Sequence, residues 1–374
     1  ISAISPFLRA PFRPRHPQYL IFFVTDRCNA NCSMCFNPPQ DATRPQNELT
    51  LSEIEQISRS FTDLIQLTIS GGEPFLRDDL AEIIRTFRRV SGARYITLPT
   101  NGFLTDRILS SLEKILRENP GAGLNFCLSI DGIGLDHDKI RGFKGGFESL
   151  LETYRGAKEL KRSFSNLNIH TTTVLSAFNA DFAEEVINYI DANMEVNVPE
   201  ILLVRGSPRD PHALDVDLDI FDTLSRKVLS MSHRRASGLR LRLVNSLTSL
   251  MTDFLLKSER ENRAYVPCLA GKKLVILRPD GRVDACEILD TLIPPDKRPP
   301  NLDNFSMGNI REGRYDLKAV LKSEKSRRVI DFIYRTRCHC TFECAIFASI
   351  IFNPIMYPRL MARFIRDHLF KNLN

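Results

Sequence analysis

The sequence predicts an α/β fold: a partial (β/α)6, TIM-like barrel followed by a small C-terminal α+β domain. Three observations lead there. From about Tyr19 to Gly206, short β-branched and apolar runs alternate with longer helical patterns, the rhythm of a parallel sheet whose strands are joined by helices. Past Ser207 that rhythm gives way to the Pro- and Asp-rich "SPRDPHALDVDLD". The nine cysteines are grouped, with three near the start, Cys127 alone in the middle and five in the last third. The expected layout is an N-terminal extension at 1–17, the barrel at 18–236, a cysteine-bearing accessory region at 237–350 and a basic, aromatic-rich helix at 351–374.

The six expected strands are Leu20–Thr25, Ile65–Ser70, Tyr95–Pro99, Leu124–Ile130, Asn168–Val174 and Glu200–Val204, each followed by a helical stretch. Thr50 stands three residues before Glu53, a capping-box spacing in which hydroxyl and carboxylate each satisfy an otherwise unpaired backbone donor. Gly145-Gly146 breaks the chain ahead of "FESLLETYRGAKELK", and a further helix is expected near Ile220–Met231. "KKLVILRPDGRVDACEIL" reads as a β-hairpin turning at Pro279-Asp280-Gly281. After Pro358, Leu360, Phe364 and Ile365 form an apolar stripe on a helix.

Hydrophobic content of 43% in 374 residues provides for a large core. The net charge of +6 is spread along the chain, which does not fit nucleic-acid binding, although the N-terminal arm (Arg9, Arg13, Arg15) and the tail (Arg359, Arg363, Arg366, Lys371) are locally basic. No apolar run reaches the roughly 18–20 residues of a membrane span, and the first residues lack a signal-peptide pattern. A cytoplasmic location is expected, with peripheral membrane contact through the C-terminal helix. Clustered cysteines in such a setting point to metal binding rather than a disulfide framework.

Cys28, Cys32 and Cys35 in "TDRCNANCSMCF" fall on the loop after the first strand and are one thiolate short of a closed tetrahedral or cluster site. Strand-end loops are where a barrel places its chemistry. Ser70-Gly71-Gly72-Glu73-Pro74 ends the second strand, Pro99-Thr100-Asn101-Gly102 the third and Leu128-Ser129-Ile130-Asp131-Gly132 the fourth, and "HDKIRG" carries Arg141. In this order the motifs resemble those of the radical S-adenosylmethionine superfamily, over roughly residues 18–206.

The resemblance implies that Cys28, Cys32 and Cys35 hold three irons of a [4Fe–4S] cluster, and that S-adenosyl-L-methionine (SAM) chelates the fourth. Reductive cleavage of SAM then yields a 5′-deoxyadenosyl radical that abstracts hydrogen from the substrate. Gly71, Gly72 and Glu73 are expected to hold the methionyl amino group, Thr100 and Asn101 to line the pocket, Ser129 and Asp131 to make polar contacts and Arg141 to meet the carboxylate.

Downstream, Cys268 and Gly281 are twelve residues apart, Gly281-x4-Cys286 follows, and "RCHCTFEC" adds Cys338, Cys340 and Cys344. This resembles the SPASM domain or its shorter relative, the twitch domain, with fewer cysteines than the longer form. One auxiliary [4Fe–4S] cluster is implied, with Cys268, Cys286, Cys340 and Cys344 as ligands and Cys338 as the alternative; a zinc site of the same cysteines is the other reading.

A radical SAM oxidoreductase performing dehydrogenation or bond formation is therefore expected, with the auxiliary cluster as electron acceptor. The alternatives are a nonredox radical isomerase or lyase, and a zinc-stabilised scaffold. The substrate is expected to be a small molecule, sugar, lipid or peptide, and the reductant flavodoxin or ferredoxin. The short stretch before the barrel argues against a leader-dependent peptide. On strand-end position, His170 and Arg205 are candidate substrate contacts, and Cys127 is expected to be a buried core residue.

Overall fold

In the computed structural model the described residues are 16–37, 47–235 and 238–369. Arg9, Arg13, Arg15 and Lys371 lie outside them. The strands are β1 (Tyr19–Thr25), β2 (Gln66–Gly71), β3 (Tyr95–Thr100), β4 (Gly123–Ser129), β5 (Leu167–Leu175), β6 (Val198–Leu203), β7 (Leu274–Leu277), β8 (Arg282–Asp284) and β9 (Ser306–Asn309). The helices of the βα units are α1 (Leu51–Ser58), α2 (Leu80–Thr86), α3 (Thr105–Glu118), α4 (Leu135–Arg141), α5 (Gly146–Ser163) and α6 (Ala183–Asn193). They are followed by α7 (Leu218–Arg235), α8 (Leu239–Glu261), α9 (Leu289–Leu292), α10 (Leu317–Lys322), α11 (Glu324–Arg335), α12 (Glu343–Ile351) and α13 (Tyr357–Leu369). All six expected strands form, shifted at their ends by two residues at most.

The nine strands make one sheet in the order β6-β5-β4-β3-β2-β1-β7-β8-β9. β1 to β6 are parallel throughout, as a partial barrel requires. The hairpin of β7 and β8 forms as expected, with Gly281 at φ 86° in its turn. Less expected is its position: β7 pairs in parallel with β1, Tyr19 opposite Leu274 and Phe22 opposite Leu277. The accessory region thus continues the sheet of the barrel.

Alternation along the strands separates two cores. Leu20, Phe22, Leu67, Ile69, Ile96, Leu98, Leu124 and Phe126 point outward under the helices. On the inner face, Tyr19, Ile21, Phe23, Leu274 and Ile276 pack against Phe342, Ala345, Ala348 and Phe352, so α12 closes the open side of the barrel. Tyr19 meets Phe347 edge-on at 6.2 Å. The remaining inner positions are largely polar, and they form the lumen.

At the mouth, the backbone of β2 is spliced onto the start of the loop after β1. Gly72 N–H donates to Thr25 O (2.9 Å) and Glu73 N–H to Arg27 O (2.8 Å). A Cβ at Gly72 would sit 2.0 Å from Arg27 O, and one at Gly71, whose φ is +133°, 2.2 Å from Thr25 O. The glycines of this motif are therefore required first by the neighbouring loop.

The capping box at α1 is present in both directions. Glu53 also bonds Arg311 (2.7 Å) and the Tyr315 hydroxyl (3.1 Å), tying the first helix to the accessory region. The Arg311 hydrogen bond, foremost, holds its carboxyl down at about 2.

The tail helix α13 runs antiparallel along α8: Arg359 reaches Tyr265 O, Arg363 bonds Asp253, and His368 reaches Arg242 O. Leu360 joins the α8 core as the stripe predicts, whereas Ile365 is 38% exposed. Among the described residues no single helix is long and apolar enough to cross a membrane.

Two outcomes follow. Glu53→Ala removes a cap and an ion pair and should cost about 1–2 kcal/mol in urea unfolding. Because the folded-state pKa is depressed, that contribution is present above the ordinary carboxylate range and is lost as pH falls from about 4.5 through about 2. Gly72→Ala should cost on the order of 3 kcal/mol and make the loop after β1 sensitive to limited proteolysis.

Candidate active site

The loop carrying Cys28, Cys32 and Cys35 is pinned by backbone bonds from three directions. Besides the β2 splice, Asn31 N–H and Ser33 N–H donate to Arg141 O and Ile140 O at the end of α4. Arg209 N–H and Asp210 N–H, beyond β6, donate to Cys35 O and Ser33 O. A loop so held presents its thiols in a fixed order.

The three thiols are close enough for each other's charge to matter. Burial first, then Glu73, Cys32 and Cys35, push Cys28 up to about 12, against a hydrogen bond from Ala30 N–H. Cys35 is raised by burial and by Cys32. Crowded, desolvated thiols resist ionising unless a cation is supplied. One cation is at hand: Arg141 Nη1 is 3.7 Å from Cys32 Sγ.

Beneath the loop, Glu73 is almost wholly buried and accepts from Phe75 N–H (3.2 Å), the Thr100 hydroxyl (3.0 Å) and Asn101 N–H (2.8 Å). Burial still raises its carboxyl to about 7. Asn101 Nδ2 donates to Asn29 Oδ1 inside the cysteine loop, and its own Oδ1 accepts from Phe103 N–H. The structure thus joins Gly71, Gly72, Glu73, Thr100 and Asn101 into one network under the cysteines. Two buried donors there have no acceptor among the described residues: Asn29 Nδ2 and Arg141 Nε.

Asp131 and Arg141, expected to contact a ligand separately, instead pair with each other at 2.5 Å. Asp131 is fully buried, and its other oxygen accepts from Val174 N–H. Its role is to hold Arg141 against Cys32. Ser129 is half-buried on the lumen face, in register with Thr172 and, through it, with Glu200.

Arg205, the proposed anion contact, is committed elsewhere. It bonds Glu343 (2.6 Å) and Glu287 (3.5 Å) and lies over the rings of Phe36 and Phe342. Since Phe36 follows Cys35 and Glu287 follows Cys286, this guanidinium links the two cysteine groups. His170 does face the lumen, beside Asn168 and Thr172, with Nδ1 4.0 Å from Glu200. Cys127 is buried as expected.

The accessory cysteines gather where the β7–β8 hairpin meets the start of α12. Cys286 is raised well above the thiol range by burial, then by Cys340, with Cys268 and Cys338 also acting on it. Cys338, pushed up to about 12, feels Cys268 after burial, and Cys340 feels Cys268 and Cys338. Cys344 instead faces Glu287, Tyr19, Arg205 and Glu343. The physical reason is its position in the first turn of α12, which turns its side chain toward β1. Cys268, Cys286, Cys338 and Cys340 thus lie within reach of one another's charge, while Cys344 packs with Cys268 and Cys286 against the inner core that holds Cys340. Among the described residues, no three Cys, His, Asp or Glu side chains are already arranged around a single-ion point.

The sequence reading passed over Glu200, Glu287 and Glu343. For Glu200 a signal existed: it lies two residues from Leu202 on a strand whose alternation should turn it inward. For Glu287 and Glu343 none did, because their grouping depends on the hairpin and on α12.

The family model for the radical SAM superfamily matches residues 22–215. A GTP 3′,8-cyclase of Peptoclostridium acidaminophilum is 28% identical over 200 residues, 52% of this chain and 58% of the relative. Molybdenum cofactor biosynthesis protein 1 of Bos taurus is 31% identical over 195 residues, 50% of this chain and 28% of the relative. A pre-heme d1 synthase of Dinoroseobacter shibae is 35% identical over 168 residues, 41% of this chain and 39% of the relative. The chain thus spans little more than half the length of these curated relatives at most.

Among solved structures, anSMEcpe with bound AdoMet superposes with a TM-score of 0.56 at 16% identity, covering 96% of this chain and 98% of that one. Streptococcus suis SuiB gives 0.57 at 15% identity, covering 94% and 76%. At such identities the likeness is one of fold, and it extends through the accessory region. More than half of the sequence answers to a single family model, and the cysteine loop sits where a barrel of this kind keeps its chemistry; the protein belongs to the radical SAM superfamily.

Proposed function

We propose that the chain is a radical SAM oxidoreductase that removes hydrogen from a substrate held in the barrel lumen and completes an oxidation through a second cluster. Family membership makes it a radical SAM enzyme and sets aside the zinc-held scaffold. The oxidative reading is supported by one observation: Cys268, Cys286 and Cys340 pack together against the helix that walls the lumen, with Cys338 near enough to act on Cys286 and Cys340.

Cys28, Cys32 and Cys35 would hold the first [4Fe–4S] cluster, with Asn29 Nδ2 and Arg141 Nε as unmatched donors for the carboxylate of SAM and Glu73 as the nearby acceptor for its amino group. The donor chemistry fits: desolvated thiols need a cation, and the buried donors need an anion. Ser129, half-buried on the lumen face, is assigned a cofactor contact. When bound, these groups supply hydrogen-atom abstraction and a one-electron sink, with flavodoxin or ferredoxin as reductant. The chain's own residues position and shield: Asp131 orients Arg141, Thr100 and Asn101 orient Glu73, and α12 closes the lumen against solvent. A redox-neutral reaction is the second reading, favoured by relatives that carry the names of a cyclase and a synthase.

The thiol grouping gives a direct test. After anaerobic iron–sulfide reconstitution, Cys338→Ala should retain about half the iron of the parent protein, and Cys344→Ala nearly all of it. The reverse order would restore Cys344 as a ligand. Reduced wild-type protein should form 5′-deoxyadenosine from SAM.

We further infer peripheral membrane contact. Met361 (54% exposed) and Ile365 stand one turn apart on α13, flanked by exposed Arg366, and Leu239 and Leu243 are exposed at the start of the neighbouring α8. A basic, apolar face of this kind is complementary to an anionic bilayer. Flotation with phosphatidylglycerol vesicles should recover the protein, whereas phosphatidylcholine vesicles should not, and Met361→Ser with Ile365→Ser should abolish recovery.

A further inference from the structure

The lumen holds a set of acceptors that outnumber the donors facing them. Glu200 on β6 stands opposite Thr172 of β5, and its side chain is 46% open although burial among the surrounding walls raises its carboxyl to about 7. Its register with Thr172 places it on the lumen face of the sheet. The Thr172 hydroxyl is its hydrogen-bond partner, and Glu343 is the charge that acts on it most.

Two further acceptors adjoin it. His170 Nδ1, 4.0 Å from Glu200, is buried without a hydrogen-bond partner. Burial holds that imidazole neutral, at about 4, with Lys161 adding to the effect. Lys161 itself bonds Asn197. Glu343, 7% exposed, has one carboxylate oxygen bonded to Arg205 and the other, Oε1, buried with no partner.

The charge is also one-sided. Arg205 faces Glu343 and Glu287, with Arg278 also acting on Glu287, while Glu200 beside Glu343 has no arginine or lysine ion pair among the described residues. Arg205 Nε is unmatched, yet its two terminal nitrogens are bound to Glu343 and Glu287. Of the other arginines at the mouth, Arg27 is engaged with Glu48, Arg141 with Asp131 and Arg278 with Asp284, while Arg209 lies against the cysteine loop at Cys35. A phosphate-rich ligand entering the lumen would meet uncompensated carboxylate, whereas a ligand bringing N–H donors and positive charge would satisfy acceptors that are costly to leave unmade.

We propose that Glu200, with His170 and Glu343 beside it, is the substrate-recognition site of this enzyme and that it binds the ammonium group of a primary amine. The proposal rests on the reading of the lumen as the substrate chamber. It adds the chemical class of the substrate and the residue that selects it. Glu200 acts as a specificity-determining residue: the hydrogen bond it accepts is strongest from an ammonium, weaker from the single N–H of a neutral amide, and replaced by repulsion for a carboxylate.

The test uses reconstituted holoenzyme with SAM, incubated with an equimolar mixture of glucosamine, tyramine and putrescine together with N-acetylglucosamine, N-acetyltyramine and diacetylputrescine. Ligand retained after rapid ultrafiltration is read by mass spectrometry. At least one amine should be retained about tenfold over its acetylated partner, and Glu200→Gln should remove that preference. Iron content of the variant checks its fold, and the wild-type comparison stands without it. Retention of acetylated forms equal to the amines, retention of none, or a preference unchanged in Glu200→Gln would overturn the proposal. Failure of the wild-type protein to assemble iron or bind SAM would instead overturn the enzymatic reading beneath it.

Discussion

The pairing of two backbones at the barrel mouth governs everything built above it. Gly72 and Glu73 donate to Thr25 and Arg27 at a separation that leaves no room for a side chain, so the loop after β1 takes its path from the end of β2. That path sets where the three thiols stand. It also buries Glu73, which accepts from Thr100 and Asn101 and so carries the constraint to β3. From β4 the Asp131–Arg141 pair reaches back to Cys32. Each strand end supplies one fixed point, and the cysteine loop is where they meet.

Much of this was legible beforehand, for definite reasons. β-branched runs separated by helical patterns mark β1 to β6, because strand and helix periodicities differ along the chain. The cysteine spacing and the glycine motif are local, so they survive in a one-dimensional reading. Partnerships are another matter. Asp131 and Arg141 each look like ligand contacts in the sequence, but in space they satisfy one another. The sequence leaves Cys338 as the alternative to Cys340 or Cys344, and it is the turn into α12 that points Cys344 at Tyr19. Glu200 has an ordinary place on an ordinary strand; its interest comes from Glu343, which lies far along the chain yet arrives at the same chamber.

Arg205 shows how the two cysteine groups are kept in relation. It stacks on Phe36 beside the first group and bonds carboxylates adjoining Cys286 and Cys344 in the accessory region. A planar guanidinium suits this, since it packs by its faces and bonds by its edge. The carboxylates it holds, Glu287 and Glu343, also border the lumen, so one guanidinium fixes the spacing of the cysteine groups and the position of acidic groups at the barrel interior.

The parallel pairing of β7 with β1 has a consequence for the life of the chain as a whole. Without β7, the first strand would be a bare sheet margin of seven residues, YLIFFVT, apolar on both faces and open to pairing with another molecule. The C-terminal third of the protein caps that margin, and during synthesis it emerges last. Until then the most aggregation-prone stretch of the molecule is unguarded. The late segment is in this sense an internal chaperone, and unfolding that detaches it would return the chain to the same hazard.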